Sequence, residues 1–431
     1  MGLYKMNDKN NKNDKKEFLP IILGSDENAY GMARAFYEKY SVIPLLLCKL
    51  PLVATRYSKI LEIRQFDKFD DEPVFVKNLS AVAEQKLKEY DKLILVPCSD
   101  RYTELAIKNR ELVEKYFCNR FTSYDLFIKF NTKDKFYNIC DEYGFAYPKT
   151  IICEYKDRLS VADNLGFDFP IIVKANNSNS YEFLNCEFEG KKKVFFVETK
   201  EEYLKIIENM NKSDYKDNII IQELILGDDT SERVLNCYSD NDGKVKLMCF
   251  GRPVLQEYSP HALGNYAAIL TDIDKNDKSR AKIIAQIKDF LESVKYAGFS
   301  NFDMKYDEKS GEYKLFEINP RQGRSSFFVT AAGYNLAEFL VENTVYGTNK
   351  EIVYADSDML WLSVPKKILF TYVENAEVLE RVRKLIKEKK YMYTLLYNKD
   401  MSLKRFLRMK LFYRKHYNEY KQYFFKKHLT K

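Results

Sequence analysis

The chain carries only three histidines in 431 residues, at 261, 416 and 428. Its eight cysteines, at 48, 98, 118, 140, 153, 186, 237 and 249, include no Cys-x-x-Cys pair. A structural zinc centre needs converging thiolates and imidazoles, so this supply argues against one. The same scarcity leaves no Ser/His/Asp or Cys/His constellation for nucleophilic catalysis. Most of the cysteines stand beside apolar residues and read as buried thiols of a reducing cytoplasm. Long apolar runs are missing too, since nothing approaches the roughly 18–20 residues of a membrane span. The N-terminal stretch MGLYKMNDKNNKNDKKEF has no apolar run behind its basic residues. It therefore reads as neither a signal peptide nor a myristoylation site, and residues 1–17 are expected as a disordered tail. Glycine numbers fifteen, and no G-x-G-x-x-G surrounds Gly24 and Gly31, which counts against a dinucleotide loop there.

What is present is the composition of a folded protein, 45% hydrophobic and 15% aromatic. The length suits about three domains. Charge is uneven. Residues 402–431 hold ten Lys or Arg and one Glu, a net of +9 against +7 for the whole chain, so the other 401 residues sum to −2. The stretch LKRFLRMKLFYRKHYNEYKQYFFKKH mixes those basic residues with Leu, Phe and Tyr at helical spacing. Such a helix suits an anionic bilayer surface, RNA, or docking on its own domain.

In chain order, FLPIIL at 18–23 leads through GSDENAYGMARAFYEKY, a turn and an amphipathic helix. Apolar runs recur at 42–48 and 92–96 with helical patterns between, so 18–122 reads as a parallel sheet with helices on its faces. Asp26 and Arg56 are polar loop residues of this part. The pattern changes near 123. A helix ending at Gly144 precedes the strand KTIIC, and FPIIVKANN at 169–177 is a buried strand that ends in Lys174. A lysine in that place is costly without an anionic partner. The segment at 175–190 is rich in Asn and Ser and poor in Gly. Residues 219–225 run from an apolar strand into Gln222-Glu223-Leu224-Ile225, followed by the turn Gly227-Asp228-Asp229. Two strands and a loop are expected over 244–270, a helix over 277–296, helical structure after Ser326, and a strand over 361–372.

The most informative stretch is NFDMKYDEKSGEYKLFEINPRQGRSS, 301–326. Two alternating runs flank a turn-rich spacer that ends in Gly, which is a hairpin signal. Asp303 sits on the first strand. Glu317 and Asn319 are two apart on the second and share a face. Two carboxylates and an amide form a hard-oxygen set suited to Mg²⁺ with phosphate. Arg321 and Arg324 follow at once, and a guanidinium grips phosphate or carboxylate oxygens bidentately. Metal-binding carboxylates beside anion-binding arginines are the arrangement of phosphoryl transfer from ATP.

This stretch resembles the metal and phosphate segment of the ATP-grasp superfamily, with E-x-N-x-R at 317–321 and an acid 14 residues before the Glu. The likeness is closer to one family within it, the D-aspartate ligases of Gram-positive cell-wall synthesis. It runs from Phe18 to about Phe424 and includes GSDENAYGMARAF, ATRYSKI, EGKKKVFFVET and VPKKI. The resemblance implies an α/β (α+β) ATP-grasp fold. A Rossmann-like pre-ATP-grasp domain would cover 18–122 and a catalytic domain 123–350, with its hinge at 222–226. A basic extension would cover 351–431. Lys133 and Lys174 would bind ATP phosphates, Gln222, Glu223 and Ile225 would lie at the adenine, and Asp229 at the ribose. Asp303, Glu317 and Asn319 would hold two Mg²⁺, with Mn²⁺ as the alternative ion. Arg321, Arg324 and Lys174 would be catalytic. The substrate's acidic groups leave Arg233, Arg252, His261 and Lys305 as unranked candidates. The implied reaction joins D-aspartate, or a similar amino acid, to UDP-MurNAc-pentapeptide or its lipid-linked form. It would take place in the cytoplasm, with peripheral membrane contact through 402–431 and no nucleic-acid partner. The residues alone leave open another ATP-grasp amino-acid or carbamoyl-phosphate-type ligase, and a nucleotide- or RNA-binding regulator whose basic tail is the active part.

Overall fold

The apolar runs of the first hundred residues pair side by side, as strands buried on both faces do. In a computed structural model, which describes residues 15–176, 181–192, 194–260, 262–274 and 276–424, they form a parallel sheet. Its strand order is Glu62–Gln65, Leu45–Cys48, Lys16–Leu23, Tyr90–Pro97. The first strand begins at Lys16, two residues inside the expected tail; residues 1–14 lie outside the described residues. Gly24 turns the chain at φ +122°, and Asp26 then caps the helix Glu27–Tyr40 by accepting the Ala29 N–H at 3.0 Å. That helix is buried from Glu27 to Phe36, because it lies between its own sheet and the rest of the protein.

A second, antiparallel sheet has the order Thr150–Cys153, Ile219–Glu223, Ile171–Ala175, Val194–Val197. It carries Lys174 and Gln222. The largest sheet runs Glu312–Asn319, Gly298–Asp307, Glu232–Ser239, Val245–Gln256, Tyr266–Thr271, Leu360–Leu362, Tyr391–Tyr393, and Val353–Tyr354 pairs alongside Val245–Gln256. The expected hairpin is present, and Asp303 pairs directly with Glu317. A register shift after Asp303 leaves Phe316 as the extra residue of a bulge.

The chain beyond 350 departs from expectation. Residues 361–372 are not one strand. Leu360–Leu362 joins the sheet, and Lys366–Tyr372 is a helix that starts at Pro365, whose fixed φ suits a helix entry. Together with Tyr391–Tyr393, this region completes the central sheet rather than hanging from it. The helix Leu403–Tyr423 then packs back, burying Arg405, Met409, Tyr413, His416 and Tyr420 at helical spacing. Arg405 and Asp400, both fully buried, pair at 3.2 Å. Asp400 also accepts from the Tyr30 and Ser58 hydroxyls at 2.7 and 2.9 Å, and the Arg405 guanidinium lies over the Tyr30 ring. This knot ties the C-terminal region to the first helix. Among the described residues no helix is long and apolar enough to cross a membrane, and all eight cysteines are free thiols.

Candidate active site

Strand alternation places the polar side of the hairpin toward the second sheet, and three cationic side chains, Lys133, Lys174 and Arg321, act on it. Lys133, the first residue of the helix Lys133–Tyr143, reaches Glu317 Oε2 at 3.2 Å. Lys174 donates to Gln222 Oε1 at 2.7 Å, and Gln222 in turn donates to Tyr137 Oη and Thr150 Oγ1. Gln222 is thus an orienting clamp on the lysine, a role that spacing alone did not reveal. Burial pulls the Lys174 ammonium down to about 7, with Lys133 adding to the effect. Burial also opposes ionisation of Glu317, but Lys133, Arg321 and Lys174 outweigh it and hold the carboxyl below its usual range. Asp303 goes the other way. Burial, reinforced by the Glu317 carboxylate, pushes it up to about 7 despite the Tyr266 hydroxyl that donates to it at 3.1 Å.

Asn319 donates its amide N–H to Asn301 Oδ1 and Asp303 Oδ2 at 3.0 and 3.1 Å, and its Oδ1 accepts from Arg321 at 3.4 Å. Among the described residues no three His, Cys, Asp or Glu side chains converge as a metal site. Two facing carboxylates and an amide oxygen remain, with Asp303 held at a raised pKa by burial and by the Glu317 carboxylate. That donor set fits Mg²⁺, which takes few protein ligands and completes its shell with phosphate and water.

Arg321 pairs with Asp100 Oδ1 at 2.5 Å, at the start of the helix Asp100–Lys108 in the N-terminal region. Arg324 pairs with Glu257 Oε1 at 2.5 Å and stands 3.7 Å from Glu27 Oε2. Asn28 and Gln322 tie the segment after the hairpin to the N-terminal region, through Asn28 Nδ2 to the Gln322 carbonyl and Gln322 Nε2 to the Pro97 carbonyl. Asp26 stays at its helix cap, its pKa raised by burial and restrained by that cap and by Arg324 and Arg321. Sequence reading missed Asp100, Glu27 and Glu257, because no motif marks an acid whose partner lies on a distant segment, 67 positions away for Glu257 and 221 for Asp100.

Other expected residues have partners within the protein. Glu223 accepts from the Lys149 N–H and from Lys314 at 2.6 Å, and Ile225 is buried beside the turn that follows. Asp229 is buried with Oδ2 held by the Gln256 N–H and the Tyr258 hydroxyl, both at 2.9 Å. Three of the four candidate substrate cations hold carbonyls of one turn. Arg233 donates to Thr230 and Glu232 and pairs with Asp272 at 2.8 Å. Arg252 donates to the Thr230 carbonyl and Lys305 to that of Gly227. A tight turn leaves carbonyls without ladder partners, and cations satisfy them. Arg56 likewise donates to the Pro51 carbonyl. His261 and residues 177–180 of the Gly-poor segment lie outside the described residues.

No family model matches the chain. It is 41% identical over 426 residues to a D-aspartate ligase of Enterococcus faecium (strain Aus0004), covering 96% of this chain and 98% of the relative. The chain belongs to the D-aspartate ligase family. Solved structures agree on the fold. The ADP complex of N5-carboxyaminoimidazole synthetase from Staphylococcus aureus superposes with a TM-score of 0.58 at 15% identity, over 84% of this chain and 86% of that one. The biotin carboxylase domain of Hydrogenobacter thermophilus 2-oxoglutarate carboxylase, with MgADP, gives 0.58 at 13% over 80% and 73%. An L-amino acid ligase from Bacillus licheniformis gives 0.52 at 15% over 77% and 75%. The D-aspartate ligase family member described here has the ATP-grasp fold and is an ATP-dependent carbon–nitrogen ligase.

Proposed function

We propose that the protein activates the β-carboxyl group of D-aspartate with ATP and joins it to the ε-amine of the stem-peptide lysine of a peptidoglycan precursor. The full-length likeness to a D-aspartate ligase carries the substrate assignment. The pairing of a carboxylate hairpin with three cationic side chains supports the chemistry. In the first step a carboxylate oxygen of the amino acid attacks the γ-phosphorus, the bond to the β-phosphate oxygen breaks, and ADP leaves. In the second the amine attacks the acyl carbon, inorganic phosphate departs, and the amine loses a proton. Neither step needs a protein nucleophile, so positioning and charge neutralisation do most of the catalysis.

Lys133 and Lys174 bind the phosphates, with Gln222 aiming Lys174. The adenine lies against the backbone of 222–226. Asp303, Glu317 and Asn319 would hold two Mg²⁺, or Mn²⁺ in their place, which would supply charge neutralisation for the phosphoryl transfer. Arg321 stabilises the transferring phosphoryl group and Arg324 the carboxylate that receives it. The acceptor is UDP-MurNAc-pentapeptide or its lipid-linked form, and the reaction is cytoplasmic. The outward side of the C-terminal helix favours contact with the inner membrane face. Leu403, Phe406, Leu407 and Leu411 are exposed there among Lys404, Lys410, Arg414 and Lys415. Apolar side chains with interleaved cations suit an anionic headgroup layer.

The test is phosphate release from ATP and Mg²⁺ with UDP-MurNAc-pentapeptide present, across a panel of D- and L-amino acids. Release with D-aspartate, and a precursor heavier by one aspartyl residue, is the expected result. Release with another amino acid alone would reject the substrate and keep the ligase; no release with any would reject both.

A further inference from the structure

We propose that Glu27, Glu257 and Arg324, closed over by His416 of the C-terminal helix, form the subsite that receives the free amino acid, the glutamates taking its ammonium group and Arg324 its carboxylate. The inference rests on the ligase reading above and adds residues which that reading does not assign. It begins with a charge deficit. Glu27 and Glu257 have side chains only 4% and 6% exposed, and they share one guanidinium. A buried carboxylate without its own cation is costly. Glu27 reflects this: burial pushes it up to about 7 against the pull of Arg324 and the Ser363 hydroxyl, which donates at 2.6 Å. One further positive charge would complete the group, and an amino acid's ammonium supplies it. Arg324 itself is 30% exposed, so part of its fork stays open to a ligand carboxylate.

The second observation is independent of those acids. His416 is 3% exposed, and among the described residues neither ring nitrogen has a hydrogen-bond partner. The nearby Glu419 Oε2 is 3.6 Å from Nδ1, too far for a hydrogen bond. The Tyr413 hydroxyl, one turn earlier, is also buried and unpartnered. Buried polar groups are nearly always satisfied, so two together mark a place made for a guest. Their location fits. The Tyr420 hydroxyl donates to the carbonyl of Gln256, seating the helix against the residue before Glu257. Glu257 and Arg324 both act electrostatically on His416, and Glu27 on Tyr413. Burial keeps the imidazole neutral, able to donate from one nitrogen to a carboxylate.

The experiment uses the full chain and two ligands, D-aspartate and succinate, its deaminated analogue. For Glu257→Gln and, separately, Glu27→Gln, the KM for D-aspartate should rise roughly tenfold while the inhibition constant of succinate stays unchanged, since a charge-assisted contact to the ammonium is lost. The KM for ATP should not move. Equal changes for the two ligands, or none, would overturn the ammonium assignment. For His416, Phe keeps the ring shape and Gln keeps a donor. His416→Phe should raise the D-aspartate KM roughly tenfold and His416→Gln much less. The reverse order would show a packing role and remove His416 from the subsite. If no amino acid provokes phosphate release from the unaltered protein, the ligase reading fails instead.

Discussion

Two acidic clusters flank Arg321 and Arg324, and they are assembled in opposite ways. Asp303, Glu317 and Asn319 come from one hairpin, where strand register alone brings them together. Glu27, Glu257, Arg324, Ser363 and His416 come from five separate segments, brought together by the docking of the first and last helices. The first cluster is a local device. The second depends on the region beyond 350, which completes the central sheet here. Chemistry common to many ligases can sit on a hairpin, whereas the choice of amino acid needs surfaces that only this packing creates.

The strongest test of the division is Glu317→Ala. It removes the carboxylate that faces Asp303 and anchors Lys133. Phosphate release should fall by about 10²–10³-fold or more, the scale of losing a principal electrostatic contact in phosphoryl transfer. The fold should survive, because a polar residue at the cleft is removed and no core volume is lost. Retained turnover would sink the metal assignment.

The next effect concerns the docking of the C-terminal helix, on which the other cluster depends. Asp400→Asn leaves Arg405 buried without its counter-charge, at a cost of about 3 kcal/mol in unfolding free energy. Denaturant titration measures it. If the C-terminal helix closes the amino-acid end, the surviving folded protein should bind ATP normally but require more D-aspartate. An equal loss of both affinities would mean that the two regions are not separable.

These tests also mark what the sequence made legible. Period-two alternation around DEKSG identified the hairpin, its acids and the arginines after it, since a strand converts spacing directly into facing side chains. The parallel sheet was legible in FLPIIL, LLLC and LILV for the same reason. Arg233, Arg252 and Lys305 were not, because a cation's type says nothing about whether a substrate or a turn carbonyl lies opposite. The Ser363–Glu27 hydrogen bond spans 336 positions, and no local pattern reports such a pair. Residues 361–372 misled through their apolar content, which a short strand followed by a buried helix shares with one long strand.

The subtlest consequence concerns protons within the first cluster. Lys174 has a pKa near 7 without ligand, below the usual lysine value, so at pH 7 about half of its population is neutral. ATP phosphates favour the ammonium and raise that pKa, so ATP binding takes up as much as about half a proton at pH 7 and more at pH 8. Asp303 lies near 7 from the other direction. A divalent cation favours the carboxylate and lowers its pKa, so metal binding releases a proton fraction of similar size, larger at pH 6 than at pH 8. Calorimetry in buffers of different ionisation enthalpy separates the two. Lys174→Met should abolish the uptake seen with ATP alone. Asp303→Asn should abolish the release that appears when Mg²⁺ is added. Amino-acid binding at the second cluster should leave both signals intact. If it changes either one, the two clusters share their protons, and the boundary drawn between Arg321 and Arg324 is electrostatically open.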